Sequence, residues 1–287
     1  MPTRRKKKNK GYYRLSATIA SVVVCLIGAV LYIISFVSAN PAQSKVSPSA
    51  HIVAAETLRH ELPQLSVKRS QQIIEHLAYT VSYNPEWLVP NWVAYELTAH
   101  ETNGAQERSN KFLPDPLVEG DPVITKDYSH SGYDRGHMAP AGDMKWSEQA
   151  MKESFYMTNI CPQNHNNNAG DWKDLEELVR DIASTYGNVY ICCGPIVTDV
   201  TNTIGNVRKI VVPQAFYKVL LRQKRDETWT TIGFVMPNAP GNRPLMTYMH
   251  SVDEVEQLTS INFFYQLPDS IEDIIEADYT ISDWTVK

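Results

Sequence analysis

Cysteine is scarce: four in 287 residues, one of which, Cys25, falls within an apolar run. The other three, Cys161, Cys192 and Cys193, show no Cys-x-x-Cys spacing, which argues against a structural zinc site. A disulfide from Cys161 to Cys192 or Cys193 is open to the chain outside the cytosol, with one thiol left over; the alternative is that all three fill the core. Positive charge is also short. Seven of the 27 Lys and Arg precede the apolar run, leaving 20 against 32 acidic residues, a net −12 for the remainder. That balance speaks against extensive wrapping of a polyanion, but not against a local arginine-lined cleft assisted by a divalent cation. Internal repeats are absent, and strand-like and helix-like segments do not alternate regularly. The chain therefore reads as one α+β domain rather than a doubly wound sheet.

What is present begins at the N-terminus. Residues 1–14 carry Arg4, Arg5, Lys6, Lys7, Lys8, Lys10 and Arg14, and residues 15–39 carry no charge at all. A helix of that length crosses a bilayer core about 30 Å thick, and the basic flank stays cytoplasmic. The expectation is a signal-anchor that holds the rest of the chain outside the cytoplasm. The small residues Val37, Ser38 and Ala39 offer cleavage, and with it secretion, as the alternative. Residues 40–65, with Pro41, Pro48, Pro63 and several serines, read as a linker. Residues 66–268 read as the main domain, and 269–287 as an acidic tail.

Within the domain, Ile73, Ile74 and Leu77 share a helical face, which predicts a short helix over 71–77. Residues 92–97 predict a strand buried on both faces. A polar, proline-rich loop spans 101–131, and a helix or helical turn 146–155. The stripe Trp172, Leu175, Val179 and Ile182 predicts a helix over 168–184. Strands are expected at 189–193, 216–220 and 230–236. Ser251 before Glu254 has capping-box spacing for a helix over 251–258. In the tail, Ile271, Ile274 and Ile275 are spaced for one face of a short helix, with packing on the domain, a partner contact and mobility all open.

The most informative stretch is Asp134-Arg135-Gly136-His137-Met138-Ala139-Pro140, followed by Asn159-Ile160-Cys161-Pro162-Gln163 and Asn168-Ala169-Gly170-Asp171-Trp172. A neutral imidazole at His137 accepts a proton from water, and Gly136 permits close backbone approach. Asn168 offers a hard oxygen of the kind Mg²⁺ takes alongside several waters; it also stands where a helix cap would. Asn166 and Asn167 are neighbouring alternatives, and His165 is a further candidate ligand. Glu176 and Arg180 sit four apart, either as a surface pair or as partners at a phosphate. Trp146 and Trp172 are suited to base stacking or, more commonly, to core packing.

These residues, taken in order, resemble the DNA/RNA non-specific endonucleases of the ββα-metal (His-Me finger) superfamily. The resemblance runs over roughly residues 75–265. It includes Asn91 to Leu97, Arg108 before Lys111, Val189 to Pro195, Val212 to Lys218 and Phe234 to Asn238. It implies an α+β fold with a central antiparallel sheet, a ββα-metal catalytic motif and flanking helices. It further implies metal-dependent hydrolysis of DNA and RNA that leaves 5′-phosphate ends. His137 would be the general base and Asn168 the ligand of Mg²⁺, or of Mn²⁺ or another divalent ion. Glu176 would act on that ion through water. Arg108, Arg135 and Arg180 would contact phosphate, with Asn159 and Asp134 in support. A homodimer is also implied. Two other readings stay open from the residues themselves: a catalytically silent nucleic-acid-binding or surface-assembly protein, and a phosphodiesterase for small substrates. A closed pocket would favour the last, an open arginine-lined groove the polymer nuclease.

Overall fold

The computed structural model describes residues 58–286. The basic segment, the expected helix over 15–39 and most of the linker lie outside the described residues. Among the described residues, no helix is long and apolar enough to cross a membrane.

Among the described residues thirteen strands follow in chain order: β1 (Gln64–Leu65), β2 (Gln72–Glu75), β3 (Thr80–Asn84), β4 (Val89–Leu97), β5 (Asp134–His137), β6 (Ile160–Gln163), β7 (Val189–Ile196), β8 (Thr203–Ile204), β9 (Ile210–Val211), β10 (Ala215–Gln223), β11 (Trp229–Pro237), β12 (Met249–His250) and β13 (Ile261–Asn262). Among the described residues the α-helices are α1 (Glu148–Ser154), α2 (His165–Ala169), α3 (Asp171–Tyr186), α4 (Val252–Thr259) and α5 (Asp269–Glu276). Seven strands form one sheet in the order β12-β11-β10-β7-β4-β3-β2, antiparallel at every pairing. The expected α+β fold with a central antiparallel sheet is the one observed.

The central strands are apolar at nearly every position because both sheet faces are covered. On one face Val93, Tyr95, Ile191, Cys193, Phe216 and Phe234 meet Trp172, Leu175, Val179 and Ile182 of α3. On the other, Trp92, Ala94, Cys192, Tyr217 and Val219 meet Val252 and Val255 of α4 together with Phe263 and Phe264. Side chains alternate along a strand, so the neighbours Cys192 and Cys193 enter opposite core layers. All three described cysteines are free and buried, which settles the disulfide expectation in favour of core packing.

Three sequence expectations are corrected. Residues 71–77 are no helix: Gln72–Glu75 is the edge strand β2, with Ile74 buried while Ile73 is half exposed, the two-residue period of a pleat. Residues 58–65 belong to the folded domain rather than to a linker. There β1 pairs with β13, and Arg59 bonds Glu61 at 2.9 Å and Thr80 at 2.8 Å. The helix expected over 168–184 is two helices broken at Gly170, with α3 starting at Asp171.

The tail docks. Trp284 is 2% exposed, with the Arg222 guanidinium 5.4 Å from its ring centroid, and Tyr186 Oη donates to the Thr285 carbonyl at 2.7 Å. Helix α5 forms as its spacing predicts, but with a rotated face: Ile274 is 72% exposed while Glu272 and Glu276 turn inward.

Candidate active site

Strands β5 and β6 pair antiparallel, His137 opposite Ile160 and Asp134 opposite Gln163, and the chain runs from β6 directly into α2 and α3. This ββα unit stands beside the main sheet on the α3 face. Its register depends on Gly136, where a Cβ would lie 1.9 Å from Gln163 Oε1. Beyond β5 the chain is clamped by Asn159. Its Oδ1 accepts from Ala139 N at 2.9 Å, while its Nδ2 donates to Ala139 O and Ser154 O, both at 2.8 Å. Trp172 Nε1 donates to the His137 carbonyl at 3.2 Å. Trp172 is buried and packs on Phe216, so core packing is its place in the fold; Trp146 is half-buried against the same core.

The His137 ring lies edge-on to Phe155, centroids 4.8 Å apart, with Phe112 on another side at 5.3 Å. Its Nε2 is buried with no hydrogen-bond partner. Burial, reinforced by the Arg108 and Arg135 guanidiniums, pushes its pKa from 6.5 down to about 3, so the imidazole is neutral and free to accept a proton. The aromatics also carry the arginines: Arg108 lies 5.0 Å from the Phe155 ring centroid, and Arg135 4.2 Å from that of Phe112.

Asn164 caps α2, accepting from Asn166 N at 3.0 Å, so Asn168 is not the cap. Asn168 Nδ2 instead donates to Asp134 Oδ2 at 2.9 Å, an oxygen that also accepts from His165 Nδ1 at 2.9 Å. With its amide nitrogen held this way, Asn168 keeps Oδ1 available as a ligand. Asn167 is buried and accepts from Gln163 at 2.6 Å, and the His165 side chain is 73% exposed. Neither lines the cavity.

That cavity, of about 300 Å³, brings together Arg108, Arg135, His137, Asn168, Glu176 and Arg180. Arg180 donates to Asp143 at 2.8 Å, and the Tyr95 hydroxyl donates to the other Asp143 oxygen at 2.8 Å. Gly142 leaves room for this guanidinium, since a Cβ there would lie 2.6 Å from Arg180 Nη1. Burial pushes Glu176 up to about 8; Lys218 opposes the shift, Asp143 adds to it, and Arg180 and Arg108 oppose it. A cation beside Glu176 would return it to the carboxylate form. The donor set, one amide oxygen oriented by a carboxylate and one buried carboxylate, fits a hard divalent ion.

Sequence reasoning alone missed Lys173, which lines the cavity, and Asp143, which braces Arg180. It also missed Lys218, buried in mid-strand with its Nζ 4.8 Å from the Trp172 ring centroid. A lysine inside an apolar strand was the available signal.

A ββα unit carries a neutral histidine, an oriented amide oxygen and three guanidiniums to one cavity, a set chemically suited to a phosphate and a divalent ion. Residues 58–270 match the family described as DNA/RNA non-specific endonuclease, and the chain belongs to that family. It is 36% identical over 208 residues to "Nuclease EXOG, mitochondrial" of Xenopus laevis, covering 67% of this chain and 58% of that protein. It is 31% identical over 216 residues to "Endonuclease G, mitochondrial" of Bos taurus, covering 71% of this chain and 72% of the relative. A crystal structure of the EndoG/EndoGI complex contains a similar chain. The TM-score is 0.65 at 32% identity, over 70% of this chain and 89% of that one.

Proposed function

We propose that this chain is a metal-dependent endonuclease that hydrolyses phosphodiester bonds in DNA and RNA with little sequence preference, leaving 5′-phosphate ends. The observation that carries the reading is the convergence of His137, Asn168, Glu176 and three arginines on one cavity. An adjoining cavity of about 310 Å³ shares Arg135 and Asn168 with it and adds Phe112, Tyr128 and Tyr133. Two neighbouring cavities on either side of Arg135 and Asn168 suit a polymer better than a single small phosphoester.

His137 takes a proton from the attacking water. Arg108, Arg135 and Arg180 bind the phosphate oxygens and offset the charge that gathers on them; they read backbone and not base, hence the weak sequence preference. Asn168 would hold the divalent ion, Mg²⁺ or Mn²⁺, and Glu176 would face it through water. Such an ion, when bound, polarises the phosphate and stabilises the departing 3′ oxygen. Asp134 orients Asn168, and Asn159 fixes the strand end from which His137 projects.

The deciding experiment is cleavage of supercoiled DNA and of single-stranded RNA by the purified chain, with Mg²⁺ and with chelator, beside His137→Ala and Asn168→Ala. Loss in both variants and with chelator is expected. Undiminished cleavage by both variants would sink the assignment.

We infer too that residues 15–39 anchor the chain with this domain outside the cytoplasm, or release it if they are cleaved. Support comes from the charge-free run behind seven basic residues, and protease protection of the domain in sealed membranes tests it. A homodimer, which the resemblance implies, is read out by light scattering of the purified chain.

A further inference from the structure

Away from the catalytic face, α4 and the tail helix α5 bring acidic side chains together. One carboxylate oxygen from each of Asp253, Glu256 and Glu276 lies within 4.8 Å of the other two. Such clusters on open surfaces are ordinary, but this one is half enclosed. Glu276 is 3% exposed, and its Oε1 is buried without a hydrogen-bond partner. Glu256 is fixed by accepting from Phe263 N at 2.7 Å through one oxygen, which leaves the other free. The charges that act most strongly on Glu276 are all carboxylates: Glu256, Glu272, Asp253 and Asp273. Glu276 is also the last residue of α5, a helix end with no basic residue in its final turn, where outward carbonyls add negative potential. An unpartnered buried carboxylate among like charges at that end costs stability unless a positive species joins it.

We propose that Asp253, Glu256 and Glu276 form a calcium site, separate from the catalytic centre, that staples the tail helix to α4. Carboxylates from two helices are the irregular oxygen set calcium accepts, at 2.3–2.6 Å with waters completing six to eight ligands. Magnesium demands a stricter octahedron and keeps more of its own water. The staple supplies what the apolar face of α5 does not: Ile271 and Ile275 are only half-buried and Ile274 is in solvent. Tail docking thereby becomes calcium-dependent.

The test uses the full chain carrying Asn168→Ala, which removes the proposed catalytic ligand. The protein is stripped with chelator and titrated with Ca²⁺ by calorimetry and by thermal unfolding. One bound Ca²⁺ is expected, with Tm rising by about 5–10 °C at a hundredfold excess over Kd. Burial and the neighbouring carboxylates push Glu276 up to about 10, so adding Glu276→Gln, nearly isosteric with the protonated acid, should leave Tm in chelator close to the parent value and weaken Ca²⁺ binding at least tenfold. Glu256→Gln should weaken binding in the same direction. Absence of Ca²⁺ binding in the Asn168→Ala chain, or unchanged binding in both glutamine variants, overturns the proposal. So does a Tm that rises on mild acidification but ignores Ca²⁺, since protons would then be neutralising the cluster.

Discussion

His137 combines two demands that oppose each other. A base must stay neutral until it accepts a proton, yet burial, together with the Arg108 and Arg135 guanidiniums, makes that protonation costly. The folded chain holds His137 near pKa 3, whereas the unfolded chain binds a proton near 6.5. Its contribution to stability is therefore intact above about pH 6.5 and is lost progressively as pH falls toward 3. His137→Ala should abolish most cleavage, by on the order of 10²–10⁴-fold. It should also gain stability relative to the parent between pH 7.5 and pH 5, measured as urea midpoints at the two values. Equal shifts at both pH values would contradict the buried, neutral imidazole. At Asp134 the expected phenotype differs. Asp134→Ala frees Asn168 Nδ2, so the Mg²⁺ concentration for half-maximal cleavage should rise about 10–100-fold while cleavage at saturating Mg²⁺ falls far less. The candidate site residues that meet at the cavity were legible in the sequence because most sit in short, spaced motifs. Asp143 and Lys218 were not, because each gains meaning only from a partner far along the chain: Arg180 for the one, Trp172 and Glu176 for the other.

Among the elements, α3 and α4 were written plainly. The stripe from Trp172 to Ile182 is buried as spaced, and Ser251 and Glu254 form the reciprocal cap that their spacing announces. Strand β2 was misread because Ile73, Ile74 and Leu77 satisfy a helical period by coincidence. Over so short a segment, only pairing with β3 decides between periods. The tail helix was right in kind and wrong in orientation, since its isoleucines were counted and its inward glutamates were not. The ββα unit depends on one small residue. Gly136→Ala forces a methyl group into Gln163, and overpacking of this sort costs about 1–3 kcal/mol. Denaturant unfolding should show that loss. Cleavage should fall beyond what the stability change explains, because β5 carries both Asp134 and His137.

For the molecule as a whole, the −12 balance beyond the apolar run means that, under the proposed function, attraction for nucleic acid rests on the cations of the cavity. With three arginines and Lys173 there, the dependence of log binding on log salt should have a slope near −4, about 0.9 per phosphate contact. A slope near −10 would place many more cations on the substrate than this surface offers. The buried thiols have a different consequence. Cys161 and Cys193 lie in one core layer and Cys192 in the other, all inaccessible while the domain is folded. If the domain works in an oxidising compartment, each opening of the core exposes cysteines that have no native bridge to form. Wrong pairings would then trap the opened chain, so the working lifetime of the protein would be governed by how rarely the core opens rather than by its equilibrium stability.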